Sequence, residues 1–307
     1  MPVFRLGAIS KDGSPRPVLV VDDRLIDVQD AIRAHNISAP AVEGRLDVLP
    51  MLDDWDNWLP VLHKVAEAGD PSTPAESTRF LAPIRYPRKL LMAGANYADH
   101  IKEMGQEPPD KTKAGPYFFQ KAPTTSIIAP WERVVIPEEV KQADWESELV
   151  AIVGRPARNV STTQAMDFIA GYTVLNDISA RDRQARRDWY GPFSFDWMLG
   201  KGYEGFAPMG PTITPREFVP DPHNLRITCS VNDEMMQDGN TKDMIFDIPE
   251  QVAYLSQIFT LEPGDCISTG TPAGVGRARG IFLQDGDHVV SEVESVCRLS
   301  FRMTKES

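Results

Sequence analysis

A strand-dominated α+β fold, with a small α/β unit at residues 1–80 ahead of a larger β-rich unit at 81–307, is the architecture the sequence predicts. Three observations lead there. Short β-like runs crowd the chain after residue 88. Helical patterns in the same region are few and do not alternate regularly with those runs, which disfavours a Rossmann or TIM-barrel arrangement. Between the two units lies a stretch of Pro, Ser, Thr and short apolar pieces from Asp70 to Arg88, "DPSTPAESTRFLAPIRYPR", whose composition reads as a linker.

Ahead of the linker, "FRLGAI" and "PVLVV" read as strands, and in 56–69 the residues Leu59, Leu62 and Val65 with Ala66 recur at helical spacing. Beyond it, strands are expected at "KLLMAGAN", "PYFFQK", "ELVAIVG", "GYTVLND", "LRITCSVN", "DCISTG" and "HVVSEVESVCRLSFRM". Helices are expected at 96–104, 162–169, 179–188 and 248–259. No repeat or low-complexity segment interrupts this series.

With 42% hydrophobic and 25% charged residues over 307 positions, the chain has the composition of a globular protein able to bury a sizeable core. The formal charge is −12, from 44 acids against 32 bases, and no basic run stands out; nucleic acid and anionic membranes are therefore not the expected partners. No apolar run approaches a membrane span, and the opening "MPVFRLGAIS" carries no signal-peptide pattern. Cys229, Cys266 and Cys297 are far apart and odd in number, which suits a reducing cytoplasm. No Cys/His spacing indicates zinc, so a bound metal is expected to use oxygen ligands.

The stretch "DWESELVAIVG" (144–154) turns abruptly from acidic to apolar. In a strand, residues two apart share a face, which sets Glu146 beside Glu148. Such a pair on a solvated edge means little. Here, however, the strand continues as "LVAIV" without polar alternation, as strands buried on both faces do. A second apolar run, "GYTVLND", ends in Asp177. Capping a following helix is one task for Asp177, with Ser179 as competitor. The other is to join Glu146 and Glu148 around an oxygen-preferring divalent cation, Mg2+ above all.

In "NYADHIKEM", His100 and Glu103 lie three apart on a helical pattern, as neighbours on one face. Such a pair is either an ordinary surface contact or a carboxylate-oriented base able to activate water. Lys121 in "FFQKAP" and Lys201 in "LGKGY" stand in apolar or Gly-rich surroundings, and Gly200 and Gly202 would let the backbone near Lys201 approach a ligand. The Gly-rich segment "STGTPAGVGRARG" (268–280) matches neither phosphate-loop pattern.

Six segments together resemble the fumarylacetoacetate hydrolase family, in that family's order: "GANYADHIKEMG", "FFQKAPTTSI", "WESELVAIVG", "GYTVLNDISARDRQ", "GKGYEGFAPMGP" and "LEPGDCISTGTPAGVG". The resemblance implies a mixed β-sandwich or roll as catalytic core, a homodimer, and Mg2+ or Mn2+ as cofactor, with Ca2+ as a further candidate. It places the metal ligands on Glu146, Glu148 and Asp177. It makes His100 and Glu103 the water-activating dyad on a mobile lid, and Lys201 the cation that stabilises an oxyanion. Lys121, Gln184 and Thr271 become substrate-contacting positions, Thr271 with neighbouring backbone N–H groups. The implied activity is hydrolytic C–C cleavage of β-diketo acids of the acylpyruvate, fumarylpyruvate or 2,4-diketo-3-deoxy acid type. The same motifs also occur in decarboxylases of β-keto acids such as oxaloacetate and in isomerases of 2-hydroxydienoate acids. A non-catalytic relative would have lost one of these residues, and none is missing. The aromatic stretch "ARRDWYGPFSFDWML" (185–199) exceeds what the motifs need; a wall for a substrate tail and a subunit contact are the two uses expected of it.

Overall fold

The computed structural model describes residues 1–69 and 73–306. Asp70, Pro71 and Ser72, where the linker begins, lie outside the described residues. Two sheets dominate. The larger has 11 strands and runs, from one edge, through Thr73–Pro74, Arg24–Asp27, Ser14–Val21, Arg5–Lys11, Thr212–Pro215, Ile169–Asn176, Ser147–Val153, Cys266–Ser268, Leu90–Gly94 and Tyr117–Gln120, with Phe80–Leu81 attached to Arg5–Lys11. The smaller has five, in the order Glu234–Asn240, Arg226–Val231, His288–Val293, Cys297–Lys305 and Arg133–Ile136.

Why the strand Ser147–Val153 lacks polar alternation is plain from its two faces. Val150 and Ile152 pack with Val48, Met51, Leu52, Trp58 and Leu62 of the N-terminal helices. Leu149, Ala151 and Val153 pack with Ile227, Val289, Leu299 and Phe301 of the smaller sheet. The result is three layers, helices over the large sheet over the small sheet, with every residue of this strand buried. The helix Trp55–Ala68 turns Trp58, Val61, Leu62, Val65 and Ala66 to that core; Leu62, Val65 and Ala66 follow the spacing read from the sequence, whereas Leu59 is only half-buried beside Trp58.

Strands from residues 1–80 and from the remainder share the large sheet, because Leu6 and Gly7 pair with Ile213 and Thr212. Close approach is needed along this seam. A Cβ on Gly7 would lie 2.9 Å from the Pro211 carbonyl oxygen and 3.1 Å from Thr212 Cγ2.

Two helical expectations are corrected. Residues 179–188 form no helix: Ser179–Ala180 pairs as a short strand with Ala143–Asp144, and a turn follows. The Asp182 carboxylate accepts from Lys141 N and Gln142 N, both at 3.1 Å, so the segment is fastened to the neighbouring strand instead of coiling on itself. Residues 162–169 shorten to a 3-10 turn at Ala165–Phe168. The strand Glu234–Asn240 was not anticipated, since its polar composition hides a half-buried edge.

Gly7→Ala tests the seam. It is expected to destabilise the fold by about 1–3 kcal/mol, the usual cost of overpacking, measured by urea unfolding; wild-type stability in this variant would show the seam to be loosely packed.

Candidate functional site

The antiparallel register Ser147↔Asn176 brings the entrance of one buried strand level with the exit of the other. Asp177 N donates to Glu146 O at 2.8 Å, which locks that junction. Glu146, Glu148 and Asp177 therefore converge, each with a carboxylate oxygen within 4.8 Å of the others, and all three are buried. Glu148 is additionally gripped by Ser268 Oγ at 2.6 Å and Gly270 N at 3.0 Å.

Three buried carboxylates repel one another. Burial first, then the charges of Asp177 and Glu146, push the Glu148 carboxyl up to about 8. Glu146 goes the opposite way. Burial opposes its ionisation, but the charges of Lys201, Arg181 and His100 outweigh burial and hold it well below the usual carboxylate range. Lys201, 2% exposed, places Nζ 2.7 Å from Glu146 Oε2 and 2.6 Å from Asp177 Oδ2. Burial would lower its pKa, yet Asp177 and Glu146 raise it, so it stays a cation. Lys121 sits behind Asp177, 2.6 Å from Oδ1 as an ion pair outside hydrogen-bond geometry, while its Nζ donates to the carbonyls of Ile178 and Phe206. Burial lowers it to about 8 against the pull of Asp177.

The donor set can be tested against a metal. Three hard anionic oxygens on rigid strand ends, with no sulfur or imidazole among them, fit Mg2+ or Mn2+. Lys201 stands across two of them and supplies only part of the needed positive charge. The residues present fit a divalent cation.

The short helix Ala98–Glu103 carries His100, whose charge acts on Glu146. His100 Nδ1 is 2.7 Å from Glu103 Oε1, and a carboxylate partner there puts the proton on Nδ1 and leaves the Nε2 lone pair available. Glu103 Oε2 accepts from Gly274 N at 2.8 Å and Asp99 Oδ2 from Ala273 N at 3.2 Å, so the helix is docked on the Gly-rich loop. Asn96 fastens its base, donating to Phe246 O and Thr269 O and accepting from Phe246 N.

Residues 89–304 match the fumarylacetoacetate (FAA) hydrolase C-terminal family. The chain belongs to the fumarylacetoacetate hydrolase family. It is 40% identical over 247 residues to the mitochondrial oxaloacetate tautomerase FAHD2A of Homo sapiens, covering 80% of this chain and 76% of that one. Among solved structures, it resembles maleylpyruvate hydrolase from Sphingobium sp. SYK-6 in complex with manganese and pyruvate, at 26% identity, a TM-score of 0.76, and 99% and 100% coverage of the two chains. It also resembles 5-carboxymethyl-2-hydroxymuconate delta-isomerase from Mycobacterium smegmatis, at 30% identity, a TM-score of 0.70 and 99% coverage of both. The expected cytoplasmic location is corrected by these findings: the human relative and its rat counterpart are both named as mitochondrial proteins.

For this family member the structure places the remaining candidates as follows. The Thr271 hydroxyl donates to Ser147 O at 2.8 Å, so its one proton is spent inside the protein and not on a ligand. Gln184 is 2% exposed and packs on Gly200, where a Cβ would come within 2.1 Å of its side chain. Gly200 thus makes room for Gln184, and Gly202 for Met198, instead of admitting a ligand to the backbone. Arg181 pairs with Asp144 at 2.8 Å and with Glu146. Asp144 also accepts from Gly276 N and Arg277 N. Sequence reading passed over Asp144, although the alternation Asp144, Glu146, Glu148 was the signal that could have found it. In the aromatic stretch, Trp197 stacks on Phe119 at 4.5 Å between ring centroids, whereas Trp189, Tyr190, Phe193 and Phe195 are exposed.

The raised Glu148 carboxyl has a measurable consequence. A carboxyl whose folded value lies above its ordinary 4.5 stabilises the fold fully below that value, and the contribution is lost as pH climbs to about 8. In EDTA, thermal stability is expected to fall between pH 5 and pH 8 more steeply than in excess Mg2+, which replaces the proton. Parallel pH profiles with and without Mg2+ would contradict a shared cation at this cluster.

Proposed function

We propose that this protein is a divalent-metal-dependent enzyme of short 2-oxo dicarboxylates that interconverts the keto and enol forms of oxaloacetate. The similarity to the human oxaloacetate tautomerase carries this reading, and the geometry supplies the means. That similarity favours proton transfer over the C–C hydrolysis expected from sequence.

A Mg2+ or Mn2+ ion held by Glu146, Glu148 and Asp177 would supply Lewis acidity toward the 2-oxo group and the adjoining carboxylate. His100 takes a proton from C3 through Nε2, with Glu103 holding the tautomer and stabilising the imidazolium that forms. Lys201 offers the ammonium that balances negative charge growing on the 2-oxo oxygen. Returning a proton to that oxygen completes the enol: the π bond moves from C2–O to C2–C3, and no σ bond other than C–H and O–H is broken or made. The docked helix keeps the base near the carboxylate cluster, and the Gly274 N–H keeps Glu103 from turning away.

Hydrolysis of β-diketo acids is the second reading, favoured by the His100–Glu103 pair, whose arrangement equally suits activating water. The two readings separate by assay. Enol-oxaloacetate, followed by its ultraviolet absorbance, is expected to convert faster with protein and Mn2+ or Mg2+ than with metal alone, and EDTA is expected to remove the gain. Metal-restorable pyruvate release from acylpyruvates, without tautomerisation, would replace the first reading by the second.

Residue roles are tested in the same assay. His100→Ala is expected to lower kcat by roughly 10²–10⁴-fold, the range for a lost general base. Lys201→Met should lower it by about 10²–10³-fold, as for a lost oxyanion donor. Glu148→Gln should abolish the metal response, and full activity in that variant would mean the ion is held elsewhere.

A further inference from the structure

Gln237 takes no part in the chemistry above, yet it is completely buried and its amide is engaged on both sides at the edge of the site. It stands on the strand Glu234–Asn240 of the smaller sheet. Its Oε1 accepts from Ser147 N at 3.0 Å, and Ser147 is the residue between Glu146 and Glu148. Its Nε2 donates to Thr271 Oγ1 and to Pro272 O, each at 2.8 Å. Thr271 Oγ1 closes the ring by donating to Ser147 O at 2.8 Å. Both main-chain polar groups of Ser147 are thereby committed to Gln237 and its partner.

The loop held by this ring also carries Gly270, whose N–H lies 3.0 Å from Glu148 Oε2, and Gly274, whose N–H lies 2.8 Å from Glu103 Oε2. Contact between loop and strand is tight enough to require glycine. At φ +107°, a Cβ on Gly274 would lie 2.1 Å from Met236 O, and one on Gly239 would lie 2.5 Å from Pro272 Cβ.

We propose that Gln237 is a positioning residue for the reaction. It sets the spacing between the acidic strand and the Gly-rich loop, and through them the placement of the Glu148 carboxylate relative to the His100–Glu103 pair. An amide is required because the site presents a donor, Ser147 N–H, and two acceptors, Thr271 Oγ1 and Pro272 O. A carboxylate keeps the first contact and turns a lone pair toward Pro272 O; a thioether keeps none, and buried groups left unpaired cost stability and order. The proposal rests on reading Glu146, Glu148 and Asp177 as the cation site.

The test compares Gln237→Met and Gln237→Glu with the wild-type protein by calorimetric Mn2+ titration, the paramagnetic resonance spectrum of bound Mn2+, kcat and KM for oxaloacetate, and thermal unfolding. In folded Gln237→Met, Mn2+ affinity is expected to fall about 10–100-fold, as for other partners of metal-holding residues. Its kcat should drop at least about tenfold, more than any change in KM, and its Mn2+ spectrum should broaden. Gln237→Glu should fall between it and wild type, and decides the matter if the methionine variant does not fold. Wild-type Mn2+ affinity, spectrum and kcat, with only a lower unfolding temperature, would reduce Gln237 to a packing residue and overturn the proposal. Failure of the wild-type protein itself to bind Mn2+ would overturn the cation reading along with it. Binding without tautomerisation would strike only the reaction, leaving the affinity comparison to judge Gln237.

Discussion

Mutual repulsion of the three buried carboxylates Glu146, Glu148 and Asp177 is the constraint around which the rest of the molecule is arranged. In a dry interior, charges this close interact several times more strongly than in water, so the trio persists only where cations and a stiff backbone answer it. The cations come from separate parts of the chain: Lys121 ahead of both acidic strands, Arg181 just after Asp177, and Lys201 from the helix Trp197–Lys201. The stiffness comes from burial on both faces of the strand Ser147–Val153. Removing the N-terminal helices from one face would expose Val150 and Ile152, so a segment with no residue in the site still contributes to holding it.

This constraint also explains what was legible in the sequence. A polar pair at alternate positions entering an unbroken apolar run is unusual enough to mark Glu146 and Glu148, and Asp177 announces itself by ending a second such run. The His100–Glu103 pair was legible for a similar local reason, three residues apart on one short helix. Contacts made across the fold were not. Nothing in "SARDRQ" reveals that the Arg181 guanidinium reaches back to Asp144 and Glu146. The same segment looked helical because its charges are spaced like those of an exposed helix, whereas Asp182 is spent on backbone N–H groups of residues 141 and 142. Gln237 carried no signal at all: a lone glutamine in "EMMQDGN" becomes meaningful only when the two sheets are stacked.

Those cross-fold contacts bear on why relatives with this architecture carry names as different as hydrolase and isomerase. A base with its tautomer fixed, a lysine beside a carboxylate trio and a loop that aligns them are demanded equally by abstraction of a proton from carbon and by activation of water. Nothing in that set distinguishes the two, since both reactions need a base and a cation beside a developing oxyanion. The distinction must come from what His100 Nε2 meets first, a C–H bond of the substrate or a water beside it, and so from how the rest of the substrate is seated. On this chain the aromatic wall begins next to the ammonium itself: Lys201 Nζ is 5.5 Å from the Phe119 ring centroid, and Trp197 is stacked on that ring. A flat wall set there would limit how far a substrate seated beside Lys201 can turn, and with it the room left for an attacking water.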